Sequence, residues 1–157
     1  MFKIKWLLFI AMLQSTLSYA WMVQDQCTNL KIQIINRTQS FCRLSQALVI
    51  SGVNLPQPVI LGAIPPGGVS SWFVLSENYS QSTDFYGDPI HVYMQYECGD
   101  GKMVTFISQK DKCRRSAATV NAMVMSEYNM DTSFELSDGK MRDNTPGIIR
   151  WTFADRT

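Results

Sequence analysis

The sequence predicts an all-β protein: a single antiparallel β-sandwich of about eight strands, stabilised by disulfides. Short segments rich in Val, Ile, Leu, Phe and Trp recur along the 157 residues, several with apolar and polar residues in alternation. This pattern is typical of half-buried strands. Turn-forming residues separate these segments. The clearest turn is Ile64-Pro65-Pro66-Gly67-Gly68, because Pro fixes φ and Gly permits a positive φ.

Residues 1–20 have the pattern of a secretory signal peptide. Two lysines precede the apolar run Trp6–Leu13, and small residues stand at Ser18 and Ala20, before the expected cleavage site. The apolar run is much shorter than the ~20 residues that span a bilayer. We therefore expect a secreted or periplasmic protein whose sandwich domain is 21–157, with no transmembrane segment in the mature chain.

The mature chain is nearly neutral. Removal of Lys3 and Lys5 from the 14 basic residues leaves 12 basic residues against 13 acidic ones. A length of this order suits one domain. The charge balance gives no electrostatic reason to expect a nucleic-acid partner.

The four cysteines are Cys27, Cys42, Cys98 and Cys113. An even number in an exported chain predicts two disulfides. Equal separations of fifteen residues favour the local pairing, Cys27–Cys42 with Cys98–Cys113. However, a hairpin that turns at Gly99-Asp100-Gly101 would not place Cys98 opposite Cys113, so the pairing stays open.

The N-terminal half is predicted to contain four extended segments. The first alternates clearly, and Pro56 and Pro58 exclude regular pairing after the second, which makes that passage an edge or a connector. The segments are Leu30–Ile35, Ala47–Ile50, Val59–Leu61 and Ser70–Leu75. Residues 76–89 form the longest predicted loop.

The C-terminal half contains the clearest hairpin, which spans Ile90–Ile107 and turns at Gly99-Asp100-Gly101. In its first strand, one face is expected to carry Ile90, Val92, Met94 and Tyr96, and the other His91, Tyr93, Gln95 and Glu97. The remaining predicted strands are Thr119–Met125, Thr132–Leu136 and Ile148–Phe153.

Catalytic motifs are missing from the sequence. There is no nucleophile elbow, phosphate-binding loop or zinc-protease motif. His91 is the only histidine and alternates with strand residues on the polar face, where it has no identified catalytic partner. We therefore expect a protein that is not an enzyme and that uses no metal or cofactor.

Aromatic residues near loops are the candidate binding residues. Tyr and Trp suit wet interfaces because one end of each side chain is apolar and the other is polar. The candidates for contact with a lipid or another ligand are Trp72, Tyr79, Phe85 and Tyr86. Trp151 alternates with Ile149 and Phe153 and is expected in the core, which is also the alternative for Trp72.

Two segments, Asn36-Arg37-Thr38 and Asn78-Tyr79-Ser80, match the acceptor pattern for N-glycosylation. Asn36 also suits a turn, because asparagine side chains bond to nearby backbone groups.

The order of these features resembles the aegerolysin family and its bacterial crystal-protein relatives. The resemblance covers roughly residues 30–107. Its elements are the strand ending in Asn36-Arg37-Thr38, the strand ending in Ser51-Gly52, Pro56 and Pro58, Ile64–Gly68, and the hairpin Ile90–Ile107. It implies a single β-sandwich that binds a particular membrane lipid, and some members of the family act with a larger partner to form pores.

Two hypotheses for function follow. The first is a secreted, non-enzymatic, aegerolysin-like protein that recognises a target membrane lipid, with a role in a cytolytic or effector system as an extension. The alternative is a secreted, disulfide-bonded sandwich that binds a protein or glycan on a cell surface.

Overall fold

The computed structural model describes residues 26–54, 62–78, 87–99, 101–114 and 117–156. These ranges contain one short 3₁₀ helix, Gln26–Thr28, followed by eleven strands. The strands are β1 (Asn29–Arg37), β2 (Cys42–Ser51), β3 (Val53–Asn54), β4 (Phe73–Ser76), β5 (Ile90–Cys98), β6 (Met103–Lys110), β7 (Ala117–Ala118), β8 (Val120–Tyr128), β9 (Met130–Ser137), β10 (Gly139–Lys140) and β11 (Gly147–Asp155).

The strands form two large sheets. Sheet A has the order β3-β4-β1-β11-β9, sheet B has the order β2-β5-β6-β8, and β10 pairs with β7 in a small separate sheet. The all-β, disulfide-bonded sandwich is confirmed. One detail differs from a wholly antiparallel arrangement: β1 and β11 pair in parallel, from Leu30 opposite Gly147 to Arg37 opposite Ala154. No hairpin joins these two strands, so no turn signal in the sequence reports their relative direction.

The core lies between the inner faces of sheets A and B. Trp151 on β11 is fully buried, with its ring 4.3 Å from that of Phe106 and its Nε1 donating to Ser108 Oγ at 3.0 Å. Tyr96 and Phe153 complete this aromatic group, with ring centroids 5.4 Å apart. The predicted core position of Trp151 is therefore confirmed, and its indole N–H has the partner that a buried Trp requires.

The predicted strands that fall within the described residues are present, but several have different limits. β2 begins at Cys42 rather than Ala47, because exposed polar residues at its start belong to an edge strand and break the apolar pattern. The two-residue strands β3, β7 and β10 were not predicted, since a pair of residues shows no periodicity. The segment Val59–Leu61 lies outside the described residues.

Both disulfides are present, but the favoured local pairing is wrong. The bonds join Cys27 to Cys113 and Cys42 to Cys98. Cys42 lies directly opposite Cys98 in the register of β2 and β5, with a Cα–Cα distance of 4.0 Å. Equal sequence separations carry no information about which strands become neighbours, and here the neighbours are far apart in the chain.

The Pro-Pro-Gly-Gly segment is a type II turn, which confirms the predicted reversal. Gly68 N donates to Pro65 O at 2.9 Å, Pro66 occupies the position that favours proline, and Gly67 has a φ of 70°. A Cβ on Gly68 would lie 2.8 Å from the Pro65 ring. Each of the four residues is therefore suited to its position in the turn.

The side chain of Asn36 holds this turn against the end of β1. Asn36 is fully buried, and its Nδ2 donates to the carbonyls of Ser40, Ile64 and Pro65 at 2.8, 2.9 and 3.0 Å. Its Oδ1 accepts from Thr38 N and Thr38 Oγ1. The first glycosylation sequon is thus a structural motif in the folded chain, because a glycan on Nδ2 would displace these bonds.

A buried ion pair joins the ends of β4 and β6. Lys110 Nζ lies 2.5 Å from Glu77 Oε1, and both side chains are almost completely buried. Lys110 Nζ also donates to Asp111 O, while the same Glu77 oxygen accepts from Cys113 N at 2.6 Å. The carboxylate therefore connects β6 to the backbone of a disulfide-bonded cysteine.

We predict that Asn36→Ala destabilises the protein by about 3 kcal/mol, since several buried backbone groups lose their partner and each such loss costs ~1–3 kcal/mol. Urea unfolding measures this change. Asn121→Ala is the matched control, because Asn121 is exposed on β8 and should change stability by less than about 0.5 kcal/mol. Similar values for the two variants would contradict the structural role of Asn36.

We also predict that Lys110→Met lowers the free energy of unfolding by about 3–5 kcal/mol, because the buried Glu77 carboxylate loses the ammonium group of Lys110. Lys102→Met is the control. Lys102 also lies 2.5 Å from a carboxylate, that of Asp155, but both groups are partly exposed, so the loss should be much smaller, because solvent screens exposed ion pairs. Equal losses in urea unfolding would show that burial does not set the strength of the Lys110–Glu77 pair.

Candidate functional site

A row of apolar side chains crosses the outer face of sheet B. Leu48 on β2 lies opposite Tyr93 on β5, Tyr93 lies opposite Ile107 on β6, and Ile107 lies opposite Met123 on β8. Residues directly opposite one another in a sheet project from the same face. Leu48 is 54% exposed and Met123 is 51% exposed, while Tyr93 and Ile107 are half-buried. We call these four side chains the apolar row.

The rows on either side of the apolar row are polar and contain no Asp, Glu, Lys or Arg. They are Ser51, His91, Gln109 and Asn121 on one side, and Gln46, Gln95, Thr105 and Ser126 on the other. We call these twelve residues the sheet B face. The next row of the same outer surface lies outside this set and contains two charged residues; it consists of Arg43, Glu97, Met103 and Tyr128. None of the twelve is Asp, Glu, Lys or Arg, although such residues make up 17% of the whole chain.

The outer face of sheet A has a different character. Across β1, β11 and β9, the corresponding twelve outward positions include five charged residues, and the Arg150 guanidinium lies 4.0 Å from the carboxylate of Glu135. The charged residues are Lys31, Arg37, Asp131, Glu135 and Arg150. Charged residues are therefore spread over the outer face of sheet A, whereas on the outer face of sheet B Arg43 and Glu97 lie in a row beside the sheet B face.

Local sequence produces the sheet B face. Strand β5 has Tyr93 between His91 and Gln95, and β6 has Ile107 between Thr105 and Gln109, each at every second position. Alternation places each triplet on one face, and register then aligns the apolar members. The predicted division of β5 into two faces is confirmed. The row itself was missed because it depends on the register of four strands, although repeated polar–apolar–polar alternation on neighbouring strands was a usable signal.

Exposed apolar side chains also occur at the irregularities of the two edge strands. Ile50, which is 59% exposed, lies at the break in register between Val49 and Ser51 of β2. Met125 lies between the residues of β8 that pair with Thr105 and Phe106 of β6. Bulges of this kind redirect side chains at sheet edges, and here they leave apolar groups exposed on both edge strands.

Trp72, one of the four predicted binding residues, belongs to the other side of the sandwich. It is half-buried just before β4, and the guanidinium carbon of Arg150 lies 5.5 Å from its ring centroid, as in a cation–π contact. The structure therefore does not bring Trp72 together with the apolar row. The other three candidates, Tyr79, Phe85 and Tyr86, lie outside the described residues.

Among the described residues, Asp155 and Tyr96 have shifted pKa values. The Lys102 side chain, followed by the backbone N–H of Gln39, lowers the pKa of Asp155, whose carboxylate accepts a hydrogen bond from each. Burial raises the pKa of Tyr96 to about 12. Both groups support structure: Asp155 joins two turns at the end of β11, and Tyr96 lies in the aromatic core.

The described part of the chain offers little for metal chemistry or for a helical membrane anchor. It contains no cluster of three or more His, Cys, Asp or Glu side chains that could hold a metal ion. No helix within these ranges has the length and hydropathy required to cross a bilayer. His91 is half-buried, and its neighbours in register are Ser51 and Gln109.

Comparison with known proteins identifies related folds. The sequence matches no protein-family model and no curated protein. The lipid-binding protein Nakanori is similar in structure, with a TM-score of 0.58 and 11% identity over 93% of this chain and 78% of Nakanori. IP-1A from Alcaligenes faecalis has a TM-score of 0.53 and 15% identity over 86% of this chain and 96% of its own. RahU, solved in complex with a Tris molecule, has a TM-score of 0.54 and 12% identity over 84% of this chain and 98% of RahU. At these identities the likeness shows a shared β-sandwich fold.

Proposed function

We propose that this chain is a secreted, non-enzymatic binding protein that recognises a lipid at the surface of a target membrane. The observation that carries the proposal is the apolar row in the sheet B face, which contains no Asp, Glu, Lys or Arg. The likeness in fold to a protein described as lipid-binding, Nakanori, supports it. The order of sequence features that resembles the aegerolysin family supports it too, and would extend it to a component of a cytolytic or effector system.

The apolar row has dimensions suited to contact with the interfacial region of a bilayer. Adjacent strands lie ~4.8 Å apart, so a row across four strands spans about 15 Å. Its ends, Leu48 and Met123, remain about half exposed. Transfer of this exposed apolar surface from water to a lipid environment is favourable, at ~25 cal/mol per Å².

The polar rows determine how closely the face could approach a membrane. Burial of a charged group away from water is strongly unfavourable, and the sheet B face contains no Asp, Glu, Lys or Arg. The side chains of Gln95, Gln109 and Asn121 can donate to lipid phosphate and carbonyl oxygens and accept from headgroup donors. Apolar insertion and headgroup bonding can therefore occur together on one face.

The composition of the row favours lipid over glycan. Sugars commonly pack their apolar faces on aromatic rings, and of the four residues only Tyr93 is aromatic. Leu48, Ile107 and Met123 are aliphatic and match acyl chains better. A glycan or protein partner remains the second candidate. Contact through the sheet B face would not involve Trp72, which lies on the sheet A side. Tyr79, Phe85 and Tyr86 remain predicted sites of additional contact.

We predict that the double variant Leu48→Ser/Met123→Ser binds vesicles about thirtyfold more weakly than the unchanged protein, because two half-exposed apolar side chains no longer contribute ~1 kcal/mol each. The measurement is cosedimentation of the secreted, disulfide-bonded protein with vesicles. The panel contains phosphatidylcholine, phosphatidylethanolamine, sphingomyelin and phosphatidylglycerol.

The matched control is Val69→Ser. Val69 is 53% exposed, close to the value for Leu48, but it pairs with Ile35 of sheet A. The Val69→Ser variant should therefore bind vesicles as tightly as the unchanged protein. No sedimentation with any lipid in the panel would contradict the proposal, and a signal on a glycan array without vesicle binding would favour the second candidate.

A further inference from the structure

The methionines of this protein differ sharply in exposure. Met123 and Met125 on β8 are 51% and 53% exposed, whereas Met94 and Met130 are buried at 2% and 0%. Met141, at 40%, is exposed in the turn after β10, away from sheet B. The chain therefore has an accessible thioether within the apolar row, and both buried and exposed methionines elsewhere for comparison.

No free cysteine thiol competes with these thioethers for an oxidant. All four cysteines are in disulfides, so no free thiol is present. Thiolates are otherwise the usual first targets of peroxide in a protein. The exposed methionines are therefore the groups that a two-electron oxidant reaches first.

We propose that Met123 is an oxidation site whose conversion to methionine sulfoxide releases the protein from its lipid. This inference rests on the proposed function. Hydrogen peroxide is the oxidant: the sulfur lone pair attacks one peroxide oxygen, a sulfur–oxygen bond forms and the oxygen–oxygen bond breaks. The thioether is oxidised to a sulfoxide, the peroxide is reduced, and after proton transfer the second oxygen leaves as water.

The effect follows from the place of Met123 in the apolar row. Its register partner on β6 is Ile107, with Tyr93 beyond. A sulfoxide oxygen at this position is a strong hydrogen-bond acceptor, and contact with acyl chains would remove its bonds to water. We expect oxidation to weaken vesicle binding about tenfold. Methionine sulfoxide reductases can reverse the modification, so the switch is reversible in principle.

The experiment combines peroxide treatment with two readouts. Samples of the full disulfide-bonded protein are treated with hydrogen peroxide for increasing times and quenched with free methionine. Peptide mass spectrometry then measures oxidation at each methionine, and cosedimentation measures binding to vesicles of the phospholipid from the panel that binds best. We expect Met123 and Met125 to oxidise well before Met94 and Met130, and bound protein to fall in proportion to oxidation of Met123.

Two variants test whether oxidation of Met123 causes the loss of vesicle binding. Met123→Leu is compared with its own untreated sample and should lose most of its sensitivity to peroxide. Met141→Leu should bind like the unchanged protein and keep full sensitivity. Retained sensitivity in Met123→Leu, or binding that survives complete oxidation of Met123, would overturn this inference alone. Absence of vesicle binding by untreated protein would overturn the proposed function as well.

Discussion

The buried ion pair between Lys110 and Glu77 is the interaction on which one end of the sandwich depends. It joins the end of β6 in sheet B to the chain just after β4 of sheet A, and Glu77 also bonds the backbone of Cys113. A Cβ on Gly147, the first residue of β11, would lie only 3.2 Å from Lys110 Cδ. The lysine stem therefore fills space at the start of β11, while its charge is neutralised by the other sheet. Burial makes the pair sensitive to the loss of either partner.

The inward-facing side chains form the core between the two sheets. The residues on the two outer faces can therefore differ in charge and polarity without affecting core packing. Sheet A keeps a charged exterior in which Arg150 interacts with Glu135 and with the ring of Trp72. Sheet B instead exposes the apolar row between two rows of polar side chains, with Arg43 and Glu97 beyond one of them. Stability does not require this difference, since an exposed Leu48 or Met123 gains little from the fold. The asymmetry is the main reason to place function on the sheet B face.

Local features could be predicted from the sequence, and non-local ones could not. Alternation of apolar and polar residues was sufficient to predict the two faces of β5 and the burial of Trp151. The chain reversal at Gly67 could be predicted from the prolines and glycines that form it. The disulfide Cys42–Cys98, the parallel direction of β11 and the apolar row depend on which distant strands become neighbours. Asn36 falls between these two cases. Its position in a turn could be predicted from the sequence, but its hydrogen bonds to Ile64 and Pro65 involve a segment almost thirty residues away.

The place of the last strand has a consequence for how the molecule is made. β11 lies between β1 and β9 near the middle of sheet A, so this sheet cannot close until Gly147–Asp155 has been synthesised. All four cysteines precede that strand, and both crosslinks can be formed while the sheet is still open. Completion of sheet A therefore depends on pairing between strands from opposite ends of the described chain, and non-local contacts of this kind slow folding.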